Sequence, residues 1–389
     1  MREGQQAAYL ASYPKGTSPI HNALNVVYLT NVTVGGQDFK LVLDTGSSDT
    51  WVVSDPFQCR EGERRPVQES YCKLSKHYTK TATFRPTDLK MKTAYADGEM
   101  LEGEIGYDNV SIGGVAVNSA IGLVHDANWN GDGQSSGLLG MAFPTITRAF
   151  NGKQVQRYDP VFFSMHKQGL VPPVFSVALG RHNEEPGALS LGGLPDTSIV
   201  QFSKEFASAP MEYLRIRSKN GAPAEEQRTM YIATVQSFTI NGVNVPVSTR
   251  LVVDTGTTFS YIPSVVVEAI KAAWSPPLRP VVNAPPGMFL APCDSTPPKI
   301  KLNFNGRSVE INGQDLFVNQ GPLGTRPEKG KLCTIGIGGG QGFVGEGLSM
   351  MGGTFMKSLV AVFDVGAAEM RFHQRVRKGG GRAAVEFDA

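Results

Sequence analysis

Apolar residues recur along this chain in short alternating runs, broken by glycine, proline and small polar residues. Period-two alternation of that kind is the mark of half-buried strands. Residues 26–34 read as a strand, Gly35-Gly36 as a hairpin turn, and residues 39–43 as the next strand; Trp51-Val52-Val53 continues inward. Residues 91–107 alternate around Tyr95-Ala96-Asp97-Gly98, with Gly98 and Gly103 as bend points, and predict a long hairpin with a mobile tip. Residues 137–143 form an apolar run punctuated by glycine, and residues 188–193 form another. The second half repeats the plan, with strands over 231–240, a turn at Asn241-Gly242 and a strand running into Asp254. Two helices are predicted. Asp159, as N-cap, and Pro160, at the first helical position, open one that runs to about Gln168 and ends at Gly169; residues 264–274 form the other.

This punctuation divides the chain into a poorly ordered extension over 1–22, a first lobe over 23–195, a second over 196–373, and a glycine- and arginine-rich disordered tail over 374–389. Little order is expected before Leu24, and the polar stretch 194–203 is the expected boundary between lobes. A chain of 389 residues is long enough for two such units and buries roughly three quarters of its unfolded surface. Its 44 glycines and 25 prolines fit a mostly β protein. A net charge of +2 without like-charge blocks points to no nucleic acid, and no apolar run reaches the length of a membrane span.

Four cysteines fall into two groups, Cys59 with Cys72 and Cys293 with Cys333, each following one half's acid-bearing strand. Three connectivities are open, and one bridge per half is the economical one. Closing the two loops would contribute roughly 3 and 4 kcal/mol. Asn31-Val32-Thr33 and Asn109-Val110-Ser111 are glycosylation sequons, so a secreted or alternatively vacuolar protein is expected. No signal peptide is visible at Met1, and the sequence therefore reads as processed or truncated.

One stretch occurs twice. Leu41-Val42-Leu43-Asp44-Thr45-Gly46-Ser47-Ser48 is echoed by Leu251-Val252-Val253-Asp254-Thr255-Gly256-Thr257-Thr258. A buried strand ending on a bare carboxylate is costly unless that acid has a purpose. Two such acids suggest a carboxyl pair whose environments push their pKa values apart. Gly140 follows Asp44, and Gly352 follows Asp254, at nearly the same interval, which points to internal duplication. Two similar lobes about a pseudo-twofold axis would bring the acids face to face.

The two Asp-Thr-Gly motifs, the tyrosine hairpin, residues 137–143 and 350–364, and the placement of both cysteine groups make the chain resemble the pepsin-like aspartic peptidases of fungal type over roughly residues 24–373. The resemblance implies a mostly β, bilobal fold with a substrate cleft between the lobes. It implies an endopeptidase acting on polypeptides at acid pH, as a monomer, with no metal and no cofactor. Asp44 and Asp254 would be the catalytic pair, sharing one proton and holding a water, since like charges about 3 Å apart repel by roughly 5 kcal/mol even at an effective dielectric of 20. Thr45 and Thr255 would tie the two loops together; Ser47 and Thr257 would bond the outer carboxylate oxygens, and the Gly46 and Gly256 amides the inner ones. Tyr95 would be the tyrosine of a closing flap, with Trp51 as its hydrogen-bonding and packing partner and Asp97 and Gly98 touching substrate. Leu138, Met350 and Met351 would wall the pockets, which would favour hydrophobic residues around the scissile bond.

Three positions depart from the family pattern. Glu99 stands where a small residue is common, so that Asp97 and Glu99 make an acidic tip suited to lysine or arginine in the substrate. Gly353 stands where an acid is frequent, and the lost negative charge implies a lower alkaline limit. Ser136 also replaces a frequent acid. The competing class is a peptidase-like scaffold that binds a ligand or inhibits another enzyme without cutting; the intact acids, flanking hydroxyls and flap tyrosine argue against it. A nucleophile-elbow pattern at Gly133-Gln134-Ser135-Ser136-Gly137 and a dinucleotide pattern at Gly340-Gln341-Gly342-Phe343-Val344-Gly345 both lack the following helix.

Overall fold

Phe39, Leu41 and Leu43 alternate along the strand Gln37–Asp44 and all face the main core. Burying each side chain contributes roughly 1.5–3 kcal/mol, so the strand is pinned in one register up to the acid that ends it. The computed structural model describes residues 16–62, 65–181, 187–216, 225–280, 289–318, 331–339 and 347–376. The strand pairs antiparallel with Val27–Val34 about the Gly35-Gly36 turn. Both glycines there have positive φ, 55° and 76°, which side-chain-bearing residues rarely adopt. On its other edge Gln37–Asp44 runs parallel to Gly137–Gly140, with Asp44 opposite Gly140.

The second half builds the same unit. Thr249–Val253 runs parallel to Leu348–Met351, with Val253 opposite Met351, and the Asp254 amide donates to the Met351 carbonyl at 3.0 Å. Each half therefore ends a central strand on an acid beside a parallel partner. The fold is mostly β and bilobal, and strands from both halves share one sheet: Val174–Ala178 pairs antiparallel with Leu359–Asp364, which pairs with Glu369–Arg375, which pairs with Phe202–Pro210. Aromatic rings pack beneath the junction. Phe175 and Phe363 stack at 4.5 Å, and Tyr231 packs on Phe363 and Phe143. The Tyr231 hydroxyl donates to the Met141 carbonyl at 2.6 Å, joining the halves directly behind the acids. The two disulfides are Cys59–Cys72 and Cys293–Cys333, one in each half.

Three expectations are corrected. Order begins before Leu24, because Gly16–Ala23 is a strand held on both edges, by Gly187–Leu191 and by Val27–Val34. The polar, proline-bearing sequence hid it: Pro19 lies between strands whose other residues complete the ladder. The first helix is Val161–Lys167 with Pro160 in the capping position; Asp159 does not cap it but accepts Lys167 Nζ at 2.7 and 2.8 Å. Gln374 and Arg375 belong to the last strand rather than to a tail. Residues 1–15, 377–389 and the dinucleotide-like run at 340–345 lie outside the described residues. Among the described residues no helix is long and apolar enough to cross a membrane.

Candidate active site

The two Asp-Thr-Gly loops meet where the lobes join, and their bonds repeat about a pseudo-twofold axis. Thr45 Oγ1 donates to the Val253 carbonyl at 2.8 Å and accepts the Thr255 amide at 3.0 Å. Thr255 Oγ1 donates to the Leu43 carbonyl at 2.6 Å and accepts the Thr45 amide at 3.0 Å. Each buried hydroxyl thus satisfies two backbone groups of the opposite loop, and neither loop can shift without stranding them. Within each loop the glycine amide donates to the inner carboxylate oxygen at 2.8 Å, Gly46 to Asp44 Oδ1 and Gly256 to Asp254 Oδ1. The outer oxygens accept hydroxyls, Asp44 Oδ2 from Ser47 and Asp254 Oδ2 from Thr257 at 2.6 Å.

Glycine at 46 and 256 is a matter of space. A Cβ on Gly46 would lie 2.6 Å from the Asp254 carboxyl carbon, and one on Gly256 would lie 2.5 Å from Asp44 Oδ1. Asp44 and Asp254 are 6 % and 7 % exposed, and each carboxyl lies against the glycine of the opposite loop, close enough for the Asp254 charge to act on Asp44. Burial first, and then the Asp254 charge, push the Asp44 carboxyl well above its ordinary range, outweighing the Ser47 and Gly46 bonds that pull it down. Two carboxyls that share a proton can take one from a water and give one to an oxygen in the same cavity.

The hairpin expected to be the flap joins Arg85–Ala94 to Met100–Ile112 and is closed by the Tyr95 amide on the Glu99 carbonyl at 2.8 Å. Trp51 Nε1 donates to the Tyr95 hydroxyl at 3.0 Å. Trp129, which no sequence spacing marks, packs edge-on against both rings, 5.7 Å from Tyr95 and 5.0 Å from Trp51. The tip is moored to the same segment: Glu99 Oε1 accepts the Asn130 amide at 2.7 Å and the Gly98 carbonyl accepts Asn128 Nδ2 at 3.3 Å. Asp97 Oδ1 accepts the Glu99 amide at 3.1 Å.

Burial, aided by Asp97 and opposed by the Asn130 amide, pushes the Glu99 carboxyl up to about 7. A carboxyl raised in the moored pose favours that pose while it is protonated. The contribution is complete below the ordinary value of 4.5 and is lost as pH rises through about 7. Amides at 95–99 should therefore exchange more slowly, relative to their intrinsic rates, at about pH 4 than at about pH 8, and Glu99→Gln should abolish that difference. Equal protection of the parent flap at both pH values would contradict this reading.

Leu138 is buried among Trp51, Trp129 and Tyr95, and Met350, opposite Val252, is 9 % exposed. Met351 is fully buried in the main core, because alternation along Leu348–Met351 turns it away from Met350; its expected place in a pocket wall is corrected. Ser136 is buried and its hydroxyl accepts the Lys76 amide at 2.9 Å, a loop-fixing role. At Gly353 the missing acid has a steric counterpart. A Cβ there would lie 2.6 Å from the ring of buried Tyr28, so an acid at 353 would have to displace that ring.

Residues 27–375 match the sequence profile of the eukaryotic aspartyl proteases. A probable aspartic-type endopeptidase of Aspergillus fumigatus is 36% identical over 364 residues, covering 90% of this chain and 79% of that protein. Endothiapepsin of Cryphonectria parasitica is 28% identical, covering 90% and 74%, and penicillopepsin-3 of Penicillium janthinellum is 28% identical, covering 94% and 82%. The crystal structure of an aspartic proteinase from Irpex lacteus superposes with a TM-score of 0.69 at 20% identity, over 93% of this chain and 98% of that one, and shares its fold.

Proposed function

Because the chain belongs to the eukaryotic aspartyl protease family, we propose that Asp44 and Asp254 together activate the water with which it hydrolyses peptide bonds. The protein is an aspartic endopeptidase, and polypeptides are its substrates. The observation that carries the assignment of these two acids is the reciprocal Thr45–Thr255 lattice, which holds two buried carboxyls within reach of one another. The ionised partner takes a proton from the water as it attacks the carbonyl, and the protonated partner hydrogen-bonds the developing oxyanion. The two apparent pKa values belong to the pair, so activity peaks at acid pH and falls when both acids ionise. Tyr95, bonded to Trp51, closes over the substrate, and Gly98 at the turn, with φ of 93°, lets main chain approach main chain.

Hydrophobic residues are preferred around the scissile bond, with lysine or arginine tolerated. Glu99 is turned to Asn130 and neutral below about pH 7, so the attraction for a basic side chain falls to exposed Asp97. Turnover of a lysine peptide, relative to a leucine peptide, should fall in Asp97→Ala and hold in Glu99→Ala; no fall in either would remove the acidic-tip reading. The two disulfides, and the exposed Asn31 and Asn109 on strands where Thr33 lies opposite Ser111, support a secreted or vacuolar, glycosylated protein. Digestion of denatured haemoglobin or casein at acid pH, stopped by a statine-type inhibitor, is the expected result. Binding of the inhibitor without cleavage would favour the scaffold reading.

A further inference from the structure

Beyond Asp44 the same segment buries another carboxylate, which the proposed chemistry does not use. Asp49 is 3 % exposed, and its Oδ1 accepts the Arg148 amide at 2.9 Å and the Tyr158 hydroxyl. Those donors stand at the two ends of one small hairpin, Ala149–Phe150 paired with Val155–Gln156. Thr147 closes the hairpin's base a second time: its Oγ1 accepts the Tyr158 amide at 3.3 Å and its carbonyl accepts Arg157 Nη1. The hairpin in turn extends the flap. Ala149 lies opposite Met91 and Phe150 opposite Lys90, on the strand that leads into Tyr95. Ala149, Met91 and Tyr158 share one apolar cluster with Trp51, Trp129 and Tyr95.

We propose that Asp49 is a positioning residue, which clasps the hairpin between Thr147 and Tyr158 against the flap strand and so sets where Tyr95 descends over the two acids. The inference rests on the reading of Asp44 and Asp254 given above. A loop of three links carries it: the Asp44 segment to Asp49, Asp49 to both ends of the hairpin, and the hairpin to the flap edge. Cutting one link lets the flap strand lose its outer neighbour's register. The clasp needs the accepting oxygen rather than its charge. Burial pushes the Asp49 carboxyl above its ordinary value, against the Tyr158 and Arg148 bonds and the Arg148 and Arg157 charges that face it. A protonated carboxyl, or an amide, still presents the carbonyl oxygen that both donors require.

Three single variants and one double variant test this, read by peptide turnover at acid pH and by amide exchange over 91–99. Asp49→Ala and Tyr158→Phe should each lower kcat/KM about tenfold, through misplacement rather than loss of a reacting group, and should speed flap exchange by about the same factor. Asp49→Asn should recover most of both losses. The double variant Asp49→Ala with Tyr158→Phe should be no worse than Asp49→Ala alone, since the bond that Tyr158→Phe removes is already lost with Asp49, and exchange in Leu359–Asp364 should not change. Flap exchange in Tyr158→Phe equal to the parent's, or losses that multiply in the double variant, would overturn the proposal. The exchange readout does not depend on turnover, so a parent that fails to cleave defeats the reading of the two acids alone. A parent that cleaves no better than Asp49→Ala defeats the clasp alone.

Discussion

Asp44→Asn and Asp254→Asn are each expected to lower kcat by at least about a thousandfold while leaving a folded protein, because neither half of a shared-proton pair works alone. The substitution is nearly isosteric: the Gly46 and Gly256 amides keep the inner oxygen, and the Ser47 and Thr257 hydroxyls can rotate to accept from the new amide nitrogen at the outer position. Replacing both acids should be little worse than replacing one. Stability should move the other way for Asp44. Its folded-state carboxyl is raised by burial and by Asp254, so the folded protein holds a proton that the unfolded chain releases. Stability from that group is fully present below the ordinary carboxyl pKa and is lost as pH rises through the folded value. Asp44→Asn cannot ionise and escapes the loss. Its thermal midpoint should match the parent's at about pH 3.5 and exceed it at about pH 7. A variant that keeps a tenth of parental turnover, or that is less stable than the parent at neutral pH, would refute the assignment.

How much of this was legible in the sequence depended on whether the signal was local. The strand into Asp44 could be read because Phe39, Leu41 and Leu43 alternate, and the mooring hydroxyls could be named because Thr45, Ser47, Thr255 and Thr257 sit in a repeated motif. Gly98 announced the flap turn. What escaped was set by contacts between distant segments. Gly16–Ala23 looks like an extension because its pattern is polar, yet two flanking strands satisfy its backbone. Met351 and Met350 are adjacent apolar residues, and only the pleat decides that one enters the core. Asp49 reads as one more polar residue after the Asp-Thr-Gly motif, and its partners lie about a hundred residues on, at Arg148 and Tyr158. Gly353 could be noticed as a missing acid, but not as space taken by the Tyr28 ring.

The ion pair between Arg181 and Asp315 was equally hidden, and its removal is the second large effect expected. Arg181 follows Val174–Ala178 in the first half, and Asp315 lies in the short 3-10 turn Gly313–Leu316 of the second. Their side chains are 6 % and 3 % exposed, joined by Nε to Oδ1 at 2.7 Å and Nη2 to Oδ2 at 2.8 Å, and Ser358 Oγ adds a bond to Oδ2 at 2.7 Å. Asp315→Ala removes the buried carboxylate that both guanidinium bonds meet and should cost about 3–5 kcal/mol, whereas Arg181→Met with Asp315→Leu should recover much of that. The pH dependence has a definite sign. Burial pushes the Asp315 carboxyl up, but the Arg181 bonds and charge, with Lys357 and Ser358, outweigh it and hold the group below its ordinary range. A depressed carboxyl contributes stability above the unfolded pKa and loses it as pH falls through the lower, folded value. The clasp between the lobes therefore persists across the acid range in which Asp44 and Asp254 are proposed to share their proton. In urea titrations the gap between parent and Asp315→Ala should be wide at about pH 5 and should narrow below about pH 3.5. A gap under about 1 kcal/mol at pH 5 would mean that the pair only breaks even against its desolvation, leaving the aromatic packing around Tyr231 and Phe363 to hold the halves together.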